Sequence, residues 1–160
     1  MTATVKVTVD ETKNVLANIK AMIGKQVLVG IPDANAGRKD GAITNASLGY
    51  IHENGSPARN IPARPFLIPG VEAVKSKTVA ILKKAAEAGL ENPSAVDKGL
   101  NAAGLVAVAS VKNRIRNGEG FAPLSEATIA ERKRKGAKGT KPLIRTGQLL
   151  NSITYVVREA

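Results

Sequence analysis

The sequence predicts an α+β fold, with a small mixed or antiparallel sheet and several helices packed on one face of it. Two observations support this prediction: apolar and polar residues alternate near both ends of the chain, and apolar residues recur at helical spacing between those ends. Strands at opposite ends of such a chain must meet in one sheet to bury their apolar faces. At 160 residues the chain has the length of one domain, and we expect residues 1–160 to form it.

The N-terminal part predicts a strand, a helix and a second strand. Residues 4–9 alternate, with three valines on one face, which is typical of a half-buried strand. Asp10 can cap a helix whose apolar residues recur at helical spacing until Gly24 ends it. Residues 26–31 are almost continuously apolar, which favours a central strand over an edge strand.

Pro32 ends the second strand, and a polar segment follows it. Residues 32–42 contain charged residues, two glycines and almost nothing to bury. We therefore expect a mobile loop here, and it is a candidate for ordering when the protein assembles with a partner. Residues 44–53 predict a short helix, and residues 54–63 predict irregular structure with two prolines and a glycine.

The second half of the chain is mostly helical in pattern. One long helix begins near Pro65 to Pro69 and keeps an apolar face as far as Ala85. Pro93 suits the first position of a second long helix, which ends at Asn117. The apolar stripe of this second helix consists of Val96, Leu100, Ala103, Ala107, Val111 and Ile115.

Two shorter elements complete the predicted order. Residues 125–135 predict a short helix, and a loop rich in glycine and lysine follows it. Residues 145–150 then lead into a last strand, in which Ile153, Tyr155 and Val157 share one face.

Composition excludes several classes of protein. The chain has no cysteine, so it can form neither a disulfide framework nor a thiolate metal site. Its apolar runs are far shorter than a bilayer requires, and no signal-peptide pattern opens it, so we expect a soluble protein made in the cytoplasm rather than one that spans a membrane. The net charge of +11 predicts an anionic neighbour, which can be nucleic acid, a membrane surface or an acidic protein, and composition alone does not choose among them.

No catalytic pattern is visible in the sequence. The one histidine, His52, stands beside Glu53, and this pair is too small for a metal site with the usual number of ligands. No nucleophile motif accompanies His52, and no glycine-rich phosphate loop connects a strand to a helix. We therefore expect a protein that is not an enzyme and has neither a metal nor another cofactor.

Positive charge is concentrated in residues 112–145, which hold ten Lys or Arg against three Glu. Such a patch can lie along a DNA backbone without reading the bases, or it can meet an acidic partner. Its plain alternative is a solvated helix end, in which case changing residues 132–135 together to serine should leave folding nearly intact. The candidate contacts are Arg132, Lys133, Arg134, Lys135, Lys138 and Lys141.

Two segments carry distinctive motifs. The first reads YIHENG over residues 50–55 and NIPARPFL over residues 60–67, and it resembles the HE-x-G and IPARPFL signature of phage tail-component and virion-morphogenesis proteins. The second reads FAPLSEAT over residues 121–128 and KPLIRTGQLLNSI over residues 141–153. It resembles the W-x-PLS-x-x-T and ILxxTGxLxxSI ending of the Mu-type virion-morphogenesis proteins, with Phe121 where that family usually has Trp.

The resemblance implies a structural protein of the virion that completes the neck or tail of a tailed phage by docking in a ring. The implied partners are copies of itself and the neighbouring head-connector and tail proteins, with genomic DNA as a further, non-specific contact. Residues 52–66 are expected to form one side of the interface. The interface residues named by the motif are His52, Glu53, Gly55, Pro62, Arg64, Pro65 and Phe66.

The stiffness of the IPARP segment gives the motif a physical interpretation. Pro62 and Pro65 fix the backbone and bias their neighbours toward extended conformations, which lowers the entropy lost on docking. We expect Arg64 to reach outward to a partner. Phe66 has two interpretations that stay open: it docks on a partner, or it anchors the following helix in its own core.

A second function class remains open alongside the structural one. A small basic protein that binds nucleic acid without sequence preference accounts for the charge, but it leaves the IPARPFL and TGQLLNSI segments unexplained.

Overall fold

The computed structural model describes residues 12–39, 42–136 and 139–160, and it confirms the α+β prediction. Two short 3-10 turns, at Asp33–Asn35 and Pro57–Arg59, interrupt the loops. The described helices and strands follow the order α1 Thr12–Ile23, β1 Lys25–Gly30, α2 Asn45–Asn54, α3 Leu67–Glu72, α4 Lys75–Gly89, α5 Ser94–Asn117, α6 Glu126–Arg134, α7 Gln148–Ser152 and β2 Thr154–Glu159.

Strands β1 and β2 pair in antiparallel register, with Val27 opposite Val157 and Val29 opposite Tyr155. One face of this pair packs on α5, where the Tyr155 hydroxyl donates a 2.9 Å hydrogen bond to Oδ1 of Asn101. The strand predicted at residues 4–9 lies outside the described residues. The central position predicted for β1 depends on such a third strand and stays a prediction.

Helix α5 is the centre of the core. All six residues of its predicted apolar stripe are buried, and Val111 and Ile115 are fully so. A helix that is polar on one face and apolar on the other gains most of its stability by burying that stripe against neighbouring elements. The core cluster around it consists of Phe66, Val111, Ile115, Leu143, Leu149 and Ile153.

The single long helix predicted to begin at residues 65–69 is wrong, because the chain forms two helices, α3 and α4. The break falls at Val74, whose φ of −116° and ψ of 11° leave the helical range. The apolar spacing continues across the break, so periodicity alone does not reveal it. Separation from α4 lets α3 approach α5 closely: a Cβ on Gly70 would lie 2.8 Å from Cα of Val111.

The segment 32–42 is better anchored than its composition indicates. Ala36 is 8% exposed, so the expectation of almost nothing to bury is wrong at this residue. The buried Asn45 holds the segment from the start of α2: its backbone N–H donates to the carbonyl of Ala36, and its side-chain amide donates to the carbonyl of Gly37, both at 2.8 Å. Mobility of the segment stays a prediction, and residues 40 and 41 lie outside the described residues.

The other predicted helices are confirmed over their described residues, whereas the cap predicted at Asp10 lies outside them. Thr44 caps α2 by accepting a 3.1 Å hydrogen bond from the N–H of Ser47, and Ser125 caps α6 by accepting one from Thr128 at 3.3 Å. In the part of the chain that the structure describes, no helix combines the length and apolar character needed to cross a membrane.

Candidate functional site

Glu53 of the first motif forms its hydrogen bonds within its own chain. Its carboxylate accepts hydrogen bonds from the backbone N–H groups of Phe66, Leu67 and Ile68 at 2.7, 2.8 and 2.9 Å. These groups begin α3, so Glu53 satisfies N–H groups that would otherwise have no partner and adds favourable charge at this helix end. The carboxylate is therefore occupied inside the protein rather than presented to a neighbour.

Of the two interpretations of Phe66, docking on a partner or anchoring the following helix in the core, the structure favours the second. It is 2% exposed and belongs to the central apolar cluster, so it is unavailable for docking. Gly55 also has an internal role: its φ is +78°, and a Cβ there would lie 2.9 Å from the backbone nitrogen of Ala63. Glycine at this position is required by the turn that brings the two halves of the first motif together.

Arg64 does not reach outward, and this prediction is wrong. The residue is only 5% exposed. Its Nε atom donates to the carbonyl of Ala122 at 2.7 Å, and its Nη2 atom donates to the carbonyl of Pro123 at 2.8 Å. Its backbone N–H donates to the carbonyl of His52 at 2.6 Å. The side chain turns inward and joins the first motif to the second.

A second arginine strengthens this connection from the core helix. Nε of Arg114 in α5 donates to the carbonyl of Pro65 at 2.9 Å. Its guanidinium also lies 5.6 Å from the centre of the Phe121 ring, within the range of a cation–π interaction. The two arginines together hold residues 60–67 and 121–125 side by side, although neither pairing follows from sequence.

The two motifs enclose a cleft, which we call the arginine cleft, with a volume of about 470 Å³. Helix α2, the IPAR segment, the start of α6 and the turn before α7 form its walls. Pro62 of the first motif lines it and is exposed, whereas Pro65 is half-buried and lies outside it. The charged and titratable residues that line the cleft are Arg38, His52, Arg64, Arg132 and Arg145.

The positive charge of the cleft acts on His52. Burial, followed by the positive charges of Arg64, Arg132 and Arg38, lowers the pKa of His52 from 6.5 to about 4. The imidazole is therefore neutral at neutral pH. Its Nδ1 atom is buried and has no hydrogen-bond partner among residues 12–39, 42–136 and 139–160.

The basic cluster divides into structural and solvated side chains. Nη1 of Arg132 donates to the carbonyls of Gly139, Lys141 and Ile144 at 3.3, 2.9 and 3.1 Å, so the simple picture of a solvated helix end is wrong for this residue. Burial, followed by the charges of Arg145 and Arg64, lowers the pKa of Arg132.

The remaining predicted cations lie farther out on the surface. Arg134 and Lys135 form ion pairs with Glu131 at 3.0 and 2.8 Å, and hydrogen bonds from Arg134 and then Lys135 lower the pKa of Glu131 to about 2. Lys133 is exposed, and Lys141 donates to the carbonyl of Arg116 at 2.9 Å. Lys138 lies outside the described residues.

Sequence reasoning missed two arginines of the cleft. Arg38 comes from the loop that was expected to be mobile, where its Nη1 donates to Oδ1 of Asn45 at 3.1 Å. Arg145 lies within the second motif, directly before Thr146 and Gly147, so its motif position was the available signal. Two large apolar side chains at the edges of the first motif, Tyr50 and Ile68, are also 71% and 64% exposed.

Comparisons of the chain with protein-family models, curated proteins and solved structures found no match. Within the described ranges, no three His, Cys, Asp or Glu side chains are grouped closely enough to hold a metal ion. The arginine cleft and the exposed side chains of Tyr50 and Ile68 are surface features that lie at or beside the two motifs.

Proposed function

We propose that this chain is a structural protein of a tailed-phage particle, which completes the neck or tail by docking into a ring. The observation that carries the proposal is the meeting of the two motif segments: Arg64 from the first donates to the carbonyls of Ala122 and Pro123 in the second. The segments that carry the family resemblance are thus parts of one surface feature rather than two separate ones.

Exposed side chains at the two edges of the first motif support a docking role. Tyr50 on α2 and Ile68 in α3 keep large apolar surfaces in water, which costs free energy in an isolated chain. Tyrosine is one of the residue types that most often dominate the binding energy of protein interfaces. We therefore assign the docking role to these exposed side chains and to Pro62, and no longer to Glu53 or Phe66.

A ring requires an interface between unlike faces of identical subunits. The proposed neighbours are further copies of this chain and the adjoining head-connector and tail proteins, and its proposed location is the virion. The arginine cleft provides one positively charged face, and an opposite charge on the neighbouring surface would favour the correct orientation of docking.

Complementation of a phage from which this gene has been deleted tests the proposal. The deletion should leave heads and tails unjoined, or tails with defective ends, when lysates are viewed by electron microscopy. Tyr50→Ala should fold normally and reduce the yield of infectious particles by at least about tenfold, as expected for an interface residue worth more than 1.4 kcal/mol.

Leu105→Ala is the matched control, because Leu105 is 60% exposed but lies on α5, outside both motifs. It should complement like the unchanged gene. Normal particles from the deleted phage, or a purified particle that lacks the protein by mass spectrometry, would refute the proposed function.

The net charge of +11 favours a second candidate, a non-specific nucleic-acid-binding protein. Exposed Lys133 and its neighbours on α6 could contact phosphates. In that case the logarithm of the binding constant for a duplex of arbitrary sequence should fall linearly and steeply with the logarithm of the salt concentration. Binding of this kind without any particle defect in the deleted phage would favour the second candidate over the first.

A further inference from the structure

The arginine cleft brings several positive charges together. Four arginines line it, and among the described residues no Asp or Glu does so. The charges of Arg145 and Arg64 contribute to the lowered pKa of Arg132. Those of Arg64, Arg132 and Arg38 contribute to the lowered pKa of His52. Like charges held together in a partly enclosed site repel one another, and an anion placed among them removes that repulsion.

Two of these arginines are fixed in place by the protein itself. Arg64 is held by the carbonyls of Ala122 and Pro123, and Arg132 is held by three carbonyls of residues 139–144. A side chain that is already ordered loses little entropy when it binds a ligand, which is how preorganised sites gain affinity. Arg145 is exposed at the rim and completes the positive wall.

His52 lines the cleft and has a polar atom without a partner among the described residues. Nδ1 of His52 is buried and makes no hydrogen bond within the described part of the chain.

The shape of the site distinguishes an acidic protein segment from DNA. Non-specific binding to duplex DNA uses exposed cations that reach phosphates on a broad surface. Here Arg64 is only 5% exposed, and it lines a cleft of about 470 Å³, a size that suits a few side chains. Arginine also pairs with carboxylates in a planar, two-bond geometry.

We propose that the arginine cleft binds the carboxylates of an acidic peptide segment from a neighbouring subunit. The inference deepens the proposed function and rests on it for the identity of the neighbour as a virion protein. The binding itself is a property of this chain's own side chains and is measurable on the purified protein.

The single histidine of the chain provides the measurement, since its ring signals in an NMR spectrum need no assignment. Blocked tetraglutamate is titrated into the full-length protein at low salt, with blocked tetraglutamine as the uncharged control. Tetraglutamate should bind with a Kd of about 1 mM or tighter. It should also raise the pKa of His52 well above its value of about 4, because a bound anion stabilises the protonated ring. Tetraglutamine should change neither quantity.

Two exposed arginines give a matched pair of variants. Arg145→Ala removes a charge from the rim of the cleft, and it should weaken tetraglutamate binding about tenfold. Arg158→Ala removes the same charge from an exposed position of strand β2, outside the cleft, and it should leave the Kd unchanged.

Three outcomes would overturn the inference: no response of His52 to tetraglutamate, equal weakening by the two variants, or a response to duplex DNA or inorganic phosphate but not to tetraglutamate. Each of them concerns the purified protein alone. The complementation test of the proposed function is independent of them, so a failure of one is distinguishable from a failure of the other.

Discussion

Arg64→Ala tests the central structural conclusion, that this side chain holds the two motifs together. The change removes two charge-assisted hydrogen bonds, of 2.7 and 2.8 Å, from a residue that is 5% exposed. Each such bond contributes about 1.5–3 kcal/mol. Since Pro123 is exposed and its carbonyl can be hydrated in the variant, we expect the lower end of the sum, about 3 kcal/mol.

Urea unfolding followed by circular dichroism measures this loss. With a slope of about 2 kcal/mol per M, the midpoint should fall by about 1.5 M. Arg64→Lys should recover about half of the loss, because an ammonium group cannot bind both carbonyls in the fixed geometry of a guanidinium. Arg59→Ala, at an exposed position of the same segment, should cost less than about 0.5 kcal/mol. Equal midpoints for Arg64→Ala and Arg59→Ala would show that the buried contacts do not stabilise the fold.

Two other predictions concern the same cleft. Arg132→Ser should lower the Tm by about 6 °C, equivalent to about 2 kcal/mol, because three carbonyls lose their donor. Lys133→Ser, on the solvated side of α6, should leave the Tm nearly unchanged. Equal Tm shifts for the two variants in calorimetry would contradict the division of the basic cluster into structural and solvated side chains. The folded-state pKa of His52, about 4, lies below its ordinary 6.5, so the unfolded chain takes up a proton first as pH falls. The contribution of His52 to the free energy of unfolding is complete above pH 6.5 and declines as the pH falls toward 4. In His52→Gln, the urea midpoint should therefore decline less between pH 6.5 and pH 4 than in the unchanged protein. An equal decline in the two proteins would refute this prediction.

Much of the fold follows from local sequence patterns. The apolar stripe of α5, from Val96 to Ile115, matches the buried residues because a long helix next to a core must bury whichever face is apolar. Ser125 and Thr44 were identifiable as helix starts, since a cap depends on N–H groups only two or three residues away. The break at Val74 was not identifiable in this way, because it has no glycine or proline and the apolar spacing continues through it.

Sequence analysis predicted several residues of the candidate site correctly, but it did not predict what their side chains do. Arg64 and Phe66 both belong to the motif that drew attention to them, yet both face the interior. Composition indicates that an arginine is charged, but the direction of its side chain depends on acceptors elsewhere in the chain. Exposed Tyr50, which sequence analysis left without a role, now takes the position in the docking proposal that Arg64 held.

The sequence by itself determined the fold class, the central helix, most of the helix boundaries and the two segments that deserve a functional test. Short-range physics decides all of these, because periodicity and capping act within a few residues. Only the tertiary structure decided that Arg64 binds carbonyls 58 and 59 residues away, and that the two motifs close around one positively charged cleft. Such pairings depend on how whole elements pack, and no local pattern specifies which distant backbone group a side chain will meet.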